Sequence, residues 1–228
     1  MRFSGSRLKA DRRYFPFRDT DKVNYRVHDT KFLSEFLENE KCQCVDEWYN
    51  QNAAITPLTN PVTFNYAAGK RIPIDPYALG LLLGDGCLRG HDKNKNHIGY
   101  STADQFLINE LRLRTGVDFV QSGASHNFYS RGAGEFVLLL KALGVYDLLS
   151  HEKFIPNSYL MACVEDRWEI VRGLMDTDGY VDSSGRCQFT TVSRDLAAGV
   201  DFLLRSLGFM VTTTRKRAGY RDSNGEGS

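Results

Sequence analysis

An apolar stretch at residues 76–84 predicts a buried helix. Asp75 precedes Pro76, and an N-cap residue followed by proline at the first helical position favours a helix start. Tyr77 and the leucines after it leave the helix apolar on most sides, which indicates a central rather than a surface position. The sequence GDG at 84–86 ends the stretch, and we expect glycine there to adopt the left-handed conformation that caps helix C-termini.

The segments that follow predict strands and helices in alternation. Residues 97–102, HIGYST, are typical of a strand, and residues 103–116 have an amphipathic pattern that predicts a helix ending at Gly116. Alternation around a Ser-Gly turn predicts a hairpin over 117–132, and residues 133–145 predict a further helix.

A second apolar stretch with an acidic end, VRGLMDTDG at 171–179, repeats the first. A polar turn, a strand and an amphipathic helix follow it in the same order as before. This recurrence predicts an internal duplication in which Asp85 and Asp178 hold equivalent positions. Residues 1–70 contain only short mixed segments, and we expect them to be mostly β or irregular.

Composition narrows the class of protein. The chain of 228 residues is 42% hydrophobic and 25% charged, as in a globular protein of one large or two ordinary domains. No apolar run is long enough to span a membrane, and the N-terminus lacks the apolar core of a secretory signal, so we expect a cytoplasmic protein. The five scattered cysteines also favour a reducing compartment. Nucleic-acid-binding proteins are often strongly basic, so the net charge of +1 is evidence against nucleic-acid binding. It is weak evidence, because acidic groups elsewhere can offset a basic stripe.

The two acids stand where a carboxylate is electrostatically unfavourable, since a helix C-terminus carries about half a negative charge. Small residues four apart, Gly80 with Gly84 and Gly173 with Thr177, would let the two helices pack closely. If the helices lie parallel, their terminal carboxylates converge and repel unless one is protonated or a cation binds. Mg²⁺ prefers such oxygen ligands, and paired acids with metal at a phosphodiester are the recurring arrangement for hydrolysis. The alternative is two core helices that merely end in glycine.

The stretches ALGLLLGDG (78–86) and VRGLMDTDG (171–179) resemble the two signature motifs of the LAGLIDADG homing endonucleases, of the dodecapeptide type encoded within inteins. The resemblance covers about residues 71–228. It implies an α+β fold, a pseudo-twofold duplicated αββαββα core whose two sheets form a saddle over the DNA major groove. The repeats would span 71–158 and 159–228. The second repeat would be truncated. The distance from Asp85 to Lys153 in the first repeat, applied from Asp178, would extend beyond residue 228.

The resemblance also implies a catalytic site. Asp85 and Asp178 would be the metal-binding catalytic acids for Mg²⁺ or Mn²⁺, with Gly84 and Thr177, which directly precede them, completing the metal site. The family places a lysine near the end of the first repeat, where HEKFIPNSY offers Lys153 as a third catalytic residue; the alternative is a solvated surface lysine.

Asp176 matches the earlier acid of the second motif, and its counterpart in the first motif is Leu83, so we expect a structural or helix-capping role. DNA contacts would come from polar side chains on the strands that follow each motif, since such side chains suit base edges and phosphates. The candidates are Tyr100, Thr102, His126, Asn127, Arg131, Arg186, Gln188, Thr190, Arg215, Lys216 and Arg217.

The predicted function is therefore site-specific cleavage of double-stranded DNA at a long asymmetric target by a monomer, with no membrane partner. Residues 1–70 would be a partial Hint (splicing) segment or a linker. Two alternatives stay open: a LAGLIDADG-fold protein that binds nucleic acid without cleaving it, and a fragment of a self-splicing intein. Because residue 1 is Met and the chain ends in Ser228, we expect no splicing by this chain alone.

Overall fold

The computed structural model of the protein describes residues 2–4, 60–64, 72–89, 97–123, 125–183 and 185–216. All of them lie within one compact unit made of residues 1–6 and 59–228. Residues 7–58, which hold most of the predicted splicing segment, lie outside the described residues.

Helices and strands alternate along the described residues. The helices are α1 (Pro76–Gly84), α2 (Gln105–Thr115), α3 (Gly134–Ala142), α4 (Asn157–Leu160), α5 (Val164–Asp178) and α6 (Arg194–Ser206). The strands are β1 (Arg2–Ser4), β2 (Gly86–Cys87), β3 (Gly99–Ser101), β4 (Asp118–Gln121), β5 (Asn127–Arg131), β6 (Gly179–Val181), β7 (Cys187–Phe189) and β8 (Met210–Thr212). The predicted helices, strand and hairpin downstream of the first motif are confirmed within these bounds.

The strands form two antiparallel four-stranded sheets. The first sheet has the order β2-β3-β5-β4, and the second has the order β6-β7-β1-β8. The second sheet thus takes its third strand from the N-terminal end of the chain, which the sequence did not predict. The mixture of helices with antiparallel sheets confirms the α+β class.

Helix α1 is the centre of the core, as its pattern predicts. Every residue from Tyr77 to Leu83 is buried. The side chain of Asp75 accepts a hydrogen bond from the backbone N–H of Ala78, and Pro76 stands at the first helical position, which confirms the predicted helix start.

Helices α1 and α5 pack side by side with their backbones in direct contact at two glycines. A Cβ atom on Gly173 would lie 2.3 Å from the carbonyl oxygen of Tyr77, and one on Gly80 would lie 2.6 Å from that of Ile170. Further along both helices, a Cβ on Gly84 would lie 1.9 Å from Oγ1 of Thr177. The helices therefore run in the same direction, and their C-terminal ends lie together.

The left-handed glycine cap expected for α1 is wrong. Neither Gly84 nor Gly86 has a positive φ; α1 runs into Asp85, whose backbone N–H donates to the carbonyl of Leu81 over 3.1 Å. Glycine is needed here for space, because a Cβ on Gly86 would lie 2.3 Å from the carbonyl oxygen of Leu82. Gly116, in contrast, ends α2 with a φ of 68°, as predicted.

A fully buried arginine holds residues 60–64 against the helical core. The guanidinium of Arg167, in α5, stacks over the ring of Phe64 at 4.8 Å and donates hydrogen bonds to the carbonyls of Ala162 and Val62 and to the hydroxyl of Ser206. These acceptors replace water around the buried charge. The sequence pattern gave no indication of this role, since charged residues are usually exposed.

We expect Gly173→Ala to lower the free energy of unfolding by about 1–3 kcal/mol, because the added methyl group meets backbone atoms of α1 that cannot move aside. Urea denaturation measures the change. Gly134→Ala is the matched control: this glycine lies in α3 with nothing within 4 Å of the added carbon, so stability should stay unchanged or rise by up to about 1 kcal/mol. Equal effects of the two substitutions would contradict the close helix contact.

Candidate active site

The two motif acids lie at the adjoining ends of the packed helices. Asp85 directly follows α1, and Asp178 is the last residue of α5. Both side chains are partly buried. Burial raises the pKa of the Asp85 carboxyl; burial and then the charge of Asp85 raise the pKa of the Asp178 carboxyl. The two acids therefore share one electrostatic environment, as the parallel arrangement predicts.

Lys153 is buried beside the two acids, with 6% of its surface exposed. Its Nζ donates hydrogen bonds to the carbonyl oxygens of Gly84 and Gly86, both over 2.8 Å, and so brackets Asp85. Burial lowers the pKa of the Lys153 ammonium, and the charges of Asp178 and Asp85 oppose that shift. The surface-lysine alternative is therefore wrong, while a catalytic role for Lys153 stays a prediction.

The side chain of Ser193 connects this lysine to the second sheet's helix. Its hydroxyl donates to the carbonyl of Lys153 over 2.5 Å, and the same oxygen accepts from the backbone N–H of Leu196 as the N-cap of α6. One buried serine thus fixes both the lysine backbone and the start of a helix.

The donor set at the helix ends suits a hard divalent cation. Among the described residues, no three His, Cys, Asp or Glu side chains cluster into a metal site, so two carboxylates would bind the ion together with backbone oxygen, water or a phosphate. This is the set that Mg²⁺ commonly uses. The hydroxyl of Thr177 shares its hydrogen between the carbonyls of Gly173 and Leu174, and the carbonyl of Gly84 accepts from Lys153. The oxygens of both residues keep lone pairs for an ion.

Asp176 joins the two helices rather than capping one. It lies inside α5, and its carboxylate accepts a hydrogen bond of 2.7 Å from the hydroxyl of Tyr77 in α1. Arg114 and Arg172 lie over the Tyr77 ring at 4.5 and 5.2 Å. The structural interpretation of Asp176 is thus confirmed and the capping interpretation is wrong.

Comparison with known families bears on what these paired acids do. Residues 166–226 match a family model described as a LAGLIDADG-like domain. The match supports the LAGLIDADG family. It contains most of α5, including Asp178, and the strands and helix that follow. LAGLIDADG domains are typically nucleases that bind DNA and generally use divalent metal ions.

Two curated proteins are similar to the chain over part of their length. The replicative DNA helicase DnaB of Mycobacterium intracellulare is 29% identical over 151 residues, which is 66% of this chain and 22% of that protein. The probable translation initiation factor IF-2 of Methanocaldococcus jannaschii is 28% identical over 145 residues, which is 60% of this chain and 12% of that protein. The matched region is thus about a fifth or less of each relative.

The first sheet gathers several predicted DNA contacts at one end. Thr102 and His126 are joined by a backbone hydrogen bond of 2.9 Å, and Asn127 accepts from the Ser101 hydroxyl over 2.6 Å. Arg131 is exposed at the other end of β5. Contacts of these side chains with DNA stay predictions.

The predicted DNA contact of Tyr100 is not possible in the structure, because this side chain is buried. The alternation of β3 turns it inward, where 1% of its surface is exposed. Its hydroxyl has no hydrogen-bond partner among the described residues, and burial followed by the charge of Asp85 raises its pKa. Tyr100 therefore lies beneath the first sheet, near the acids, and is not placed to contact DNA.

On the second sheet, the predicted contacts lie along β7 and after β8. Arg186 pairs with Asp182 across a turn, Gln188 is partly exposed opposite Tyr180, and Thr190 is exposed. Arg215 and Lys216 are exposed beyond β8, and Arg217 lies outside the described residues.

Two exposed tyrosines were missed. Tyr129 in β5 and Tyr180 in β6 expose 44% and 62% of their surface from the strands. Their places in the alternating strand patterns could have indicated an outward-facing aromatic on each sheet.

No helix in the part of the chain that the structure describes has the length and apolarity to cross a membrane.

We expect Asp178→Asn to raise the free energy of unfolding by about 0.5–1 kcal/mol at pH 7 without divalent cations. The substitution removes a partly buried carboxylate that Asp85 repels. Because the folded-state pKa of this carboxyl is raised, its ionisation lowers stability as pH rises from the unfolded value through the folded one. The advantage of the variant should therefore shrink toward pH 4.

Urea denaturation between pH 4 and 7 in the presence of a chelator measures this difference. Asp195→Asn is the control, because Asp195 is exposed on the first turn of α6, and its effect should stay within about 0.5 kcal/mol. A variant at Asp178 that is less stable than the unsubstituted protein at pH 7 would contradict the proposed repulsion.

Proposed function

We propose that the protein is a metal-dependent, site-specific double-strand DNA endonuclease of the homing type, derived from an intein. One observation carries the proposal: two acids whose carboxyl pKa values are raised lie together at the ends of parallel helices, beside a buried lysine. A protein that only had to fold would gain stability by replacing such acids with neutral residues. A function that needs negative charge at the ends of α1 and α5, such as the binding of a cation, explains why the acids are present.

The residues that would hold the ion are Asp85 and Asp178, with the backbone oxygens of Gly84 and Thr177 as further donors. When bound, a divalent ion would polarise the scissile phosphate and favour deprotonation of the attacking water. The ammonium of Lys153 holds the carbonyls on both sides of Asp85, which fixes the backbone that carries this carboxylate. The same ammonium adds positive charge where the phosphate would develop negative charge.

The repeated order of helices and strands supports binding to a long DNA site. The order helix, strand, strand, helix, strand runs from α1 to β4 and again from α5 to β8. We propose that the two halves arose by duplication and that each sheet reads one half of an asymmetric target, with the chain acting as a monomer. The polar side chains retained from the sequence prediction lie on or next to these strands, where they can reach phosphates and base edges.

The two curated relatives support the intein origin. Their names describe unrelated activities, a DNA helicase and a translation initiation factor, and each resembles this chain over a small part of its own length. A mobile module inserted in different hosts accounts for this pattern better than helicase or initiation-factor activity in this chain. Residues 1–70 belong to the same proposal as a partial Hint segment or linker, with the exception of residues 2–4, which pair into the second sheet.

Cleavage of a plasmid library with randomised inserts, in the presence of Mg²⁺ or Mn²⁺, tests the function. We expect a recurring cleaved sequence, and we expect Asp85→Asn and Asp178→Asn each to lower the cleavage rate by about 100- to 1,000-fold. Both variants should still bind the selected DNA, and Asp195→Asn should cleave normally. Enrichment of a bound sequence from the same library, with no cleavage of that sequence by the unsubstituted protein, would instead favour the non-cleaving alternative.

Thermal denaturation with and without Mn²⁺ tests the ion site separately from activity. Saturating Mn²⁺ should raise the melting temperature of the unsubstituted protein, since a ligand at about 100 times its Kd contributes about 2.7 kcal/mol. Asp85→Asn and Asp178→Asn should lose most of that increase. An equal increase in all three proteins would show that Mn²⁺ binds elsewhere.

A further inference from the structure

The N-terminal strand β1 occupies an interior position of the second sheet. It lies between β7 and β8 and pairs antiparallel with both. In the first sheet, β5 lies between β3 and β4 and also pairs antiparallel with both. The two sheets therefore place an equivalent strand in the same position, although β5 follows β4 in sequence and β1 comes from the other end of the chain.

The register of β1 against β7 equals that of β5 against β3. Gly86 pairs with Tyr100 in the first sheet, as Gly179 pairs with Phe189 in the second, so Tyr100 corresponds to Phe189. The preceding residues, Gly99 and Gln188, then correspond as well. Tyr129 opposes Gly99 and Arg2 opposes Gln188, so Arg2 holds the register position of Tyr129.

The register against the outer strand gives the same answer independently. Gly116 and Gly208, both left-handed, follow helices α2 and α6, and each stands two residues before the next strand. Two residues into those strands, Val120 pairs with Tyr129 and Thr212 pairs with Arg2. Both neighbouring strands therefore place Arg2 at the position of Tyr129, which makes a chance docking of this segment a poor explanation.

The alternative to this pairing is costly. Strands β7 and β8 do not pair with each other, so without a strand between them both would present unpaired backbone groups within the sheet. Residues 213–216, directly after β8, are exposed and belong to no strand. In the part of the chain that the structure describes, residues 2–4 are the segment that fills the slot.

We propose that the slot between β7 and β8 is a binding site for an extended segment, which the chain itself supplies as residues 2–4. Arg2 and Ser4 hold the register positions of Tyr129 and Arg131, which are exposed on the first sheet. If the protein binds DNA as proposed above, β1 contributes to the DNA-facing surface of the second sheet; this last step rests on the proposed function.

Amide hydrogen exchange on the full chain tests the strand. β1 has a partner on both sides, so a proline within it removes one ladder hydrogen bond and disturbs the pairing. We expect Phe3→Pro to accelerate exchange of the amides in 187–189 and 210–212 by at least about tenfold. Phe3→Val, which keeps the N–H and favours a strand, should leave them protected. Amides of β3 and β5 report whether the first sheet stays folded.

A synthetic peptide of residues 1–8 provides the second measurement. Added in excess to the Phe3→Pro protein, it should restore protection in 187–189 and 210–212, and the same peptide with Pro at position 3 should not. Unchanged exchange in Phe3→Pro, or loss of protection that the peptide does not restore, would overturn the proposal. If both sheets lose protection together, restoration by the peptide remains the deciding result.

DNA affinity tests separately whether β1 contributes to the DNA-facing surface. Arg2→Gln should leave amide exchange unchanged and weaken binding to the selected DNA several-fold. It should also reduce the slope of log affinity against log salt concentration by about one. Unchanged DNA affinity would refute the DNA-facing part and leave the strand intact. If the unsubstituted protein binds no DNA, the proposed function fails, while the exchange measurements still decide the strand.

Discussion

The rest of the structure depends on the backbone contact between α1 and α5. Gly80 and Gly173 touch where any larger residue would collide with main-chain atoms, and the parallel direction then brings both helix ends to one place. Helix interiors disfavour glycine by about 1 kcal/mol, so the contact must compensate for that. The burial of α1 and the hydrogen bond from Tyr77 to Asp176 stabilise the same arrangement.

The contact has an electrostatic consequence that a purely structural core would avoid. Asp85 and Asp178 meet at the negative ends of two helix dipoles. Burial raises both carboxyl pKa values, and the charge of Asp85 adds to the shift at Asp178. Lys153 offsets part of this charge from within the protein, although burial disfavours its own charged form. Ionisation of the two acids therefore lowers stability, and the negative charge that it creates suits the binding of a cation.

Local signals predicted much of the fold. Asp75 with Pro76, the glycine after α2 and the alternation of the β4–β5 hairpin are short-range features whose physics is contained in a few residues. The glycines after α1 were predicted wrongly, because their purpose is space beside another helix and not backbone conformation. Partners distant in sequence were equally hidden: the Tyr77–Asp176 bond, the burial of Tyr100 and the insertion of β1 depend on packing that no single segment records.

The central claim is that the helix contact turns two separate acids into one ion site. Mn²⁺ affinity, measured by titration calorimetry on the unsubstituted protein, Asp85→Asn, Asp178→Asn and the double variant, tests it most directly. A shared site predicts that each single substitution abolishes most of the binding and that the double variant loses little more, so the effects are strongly non-additive. Independent, additive losses, or binding that survives in the double variant, would contradict the claim.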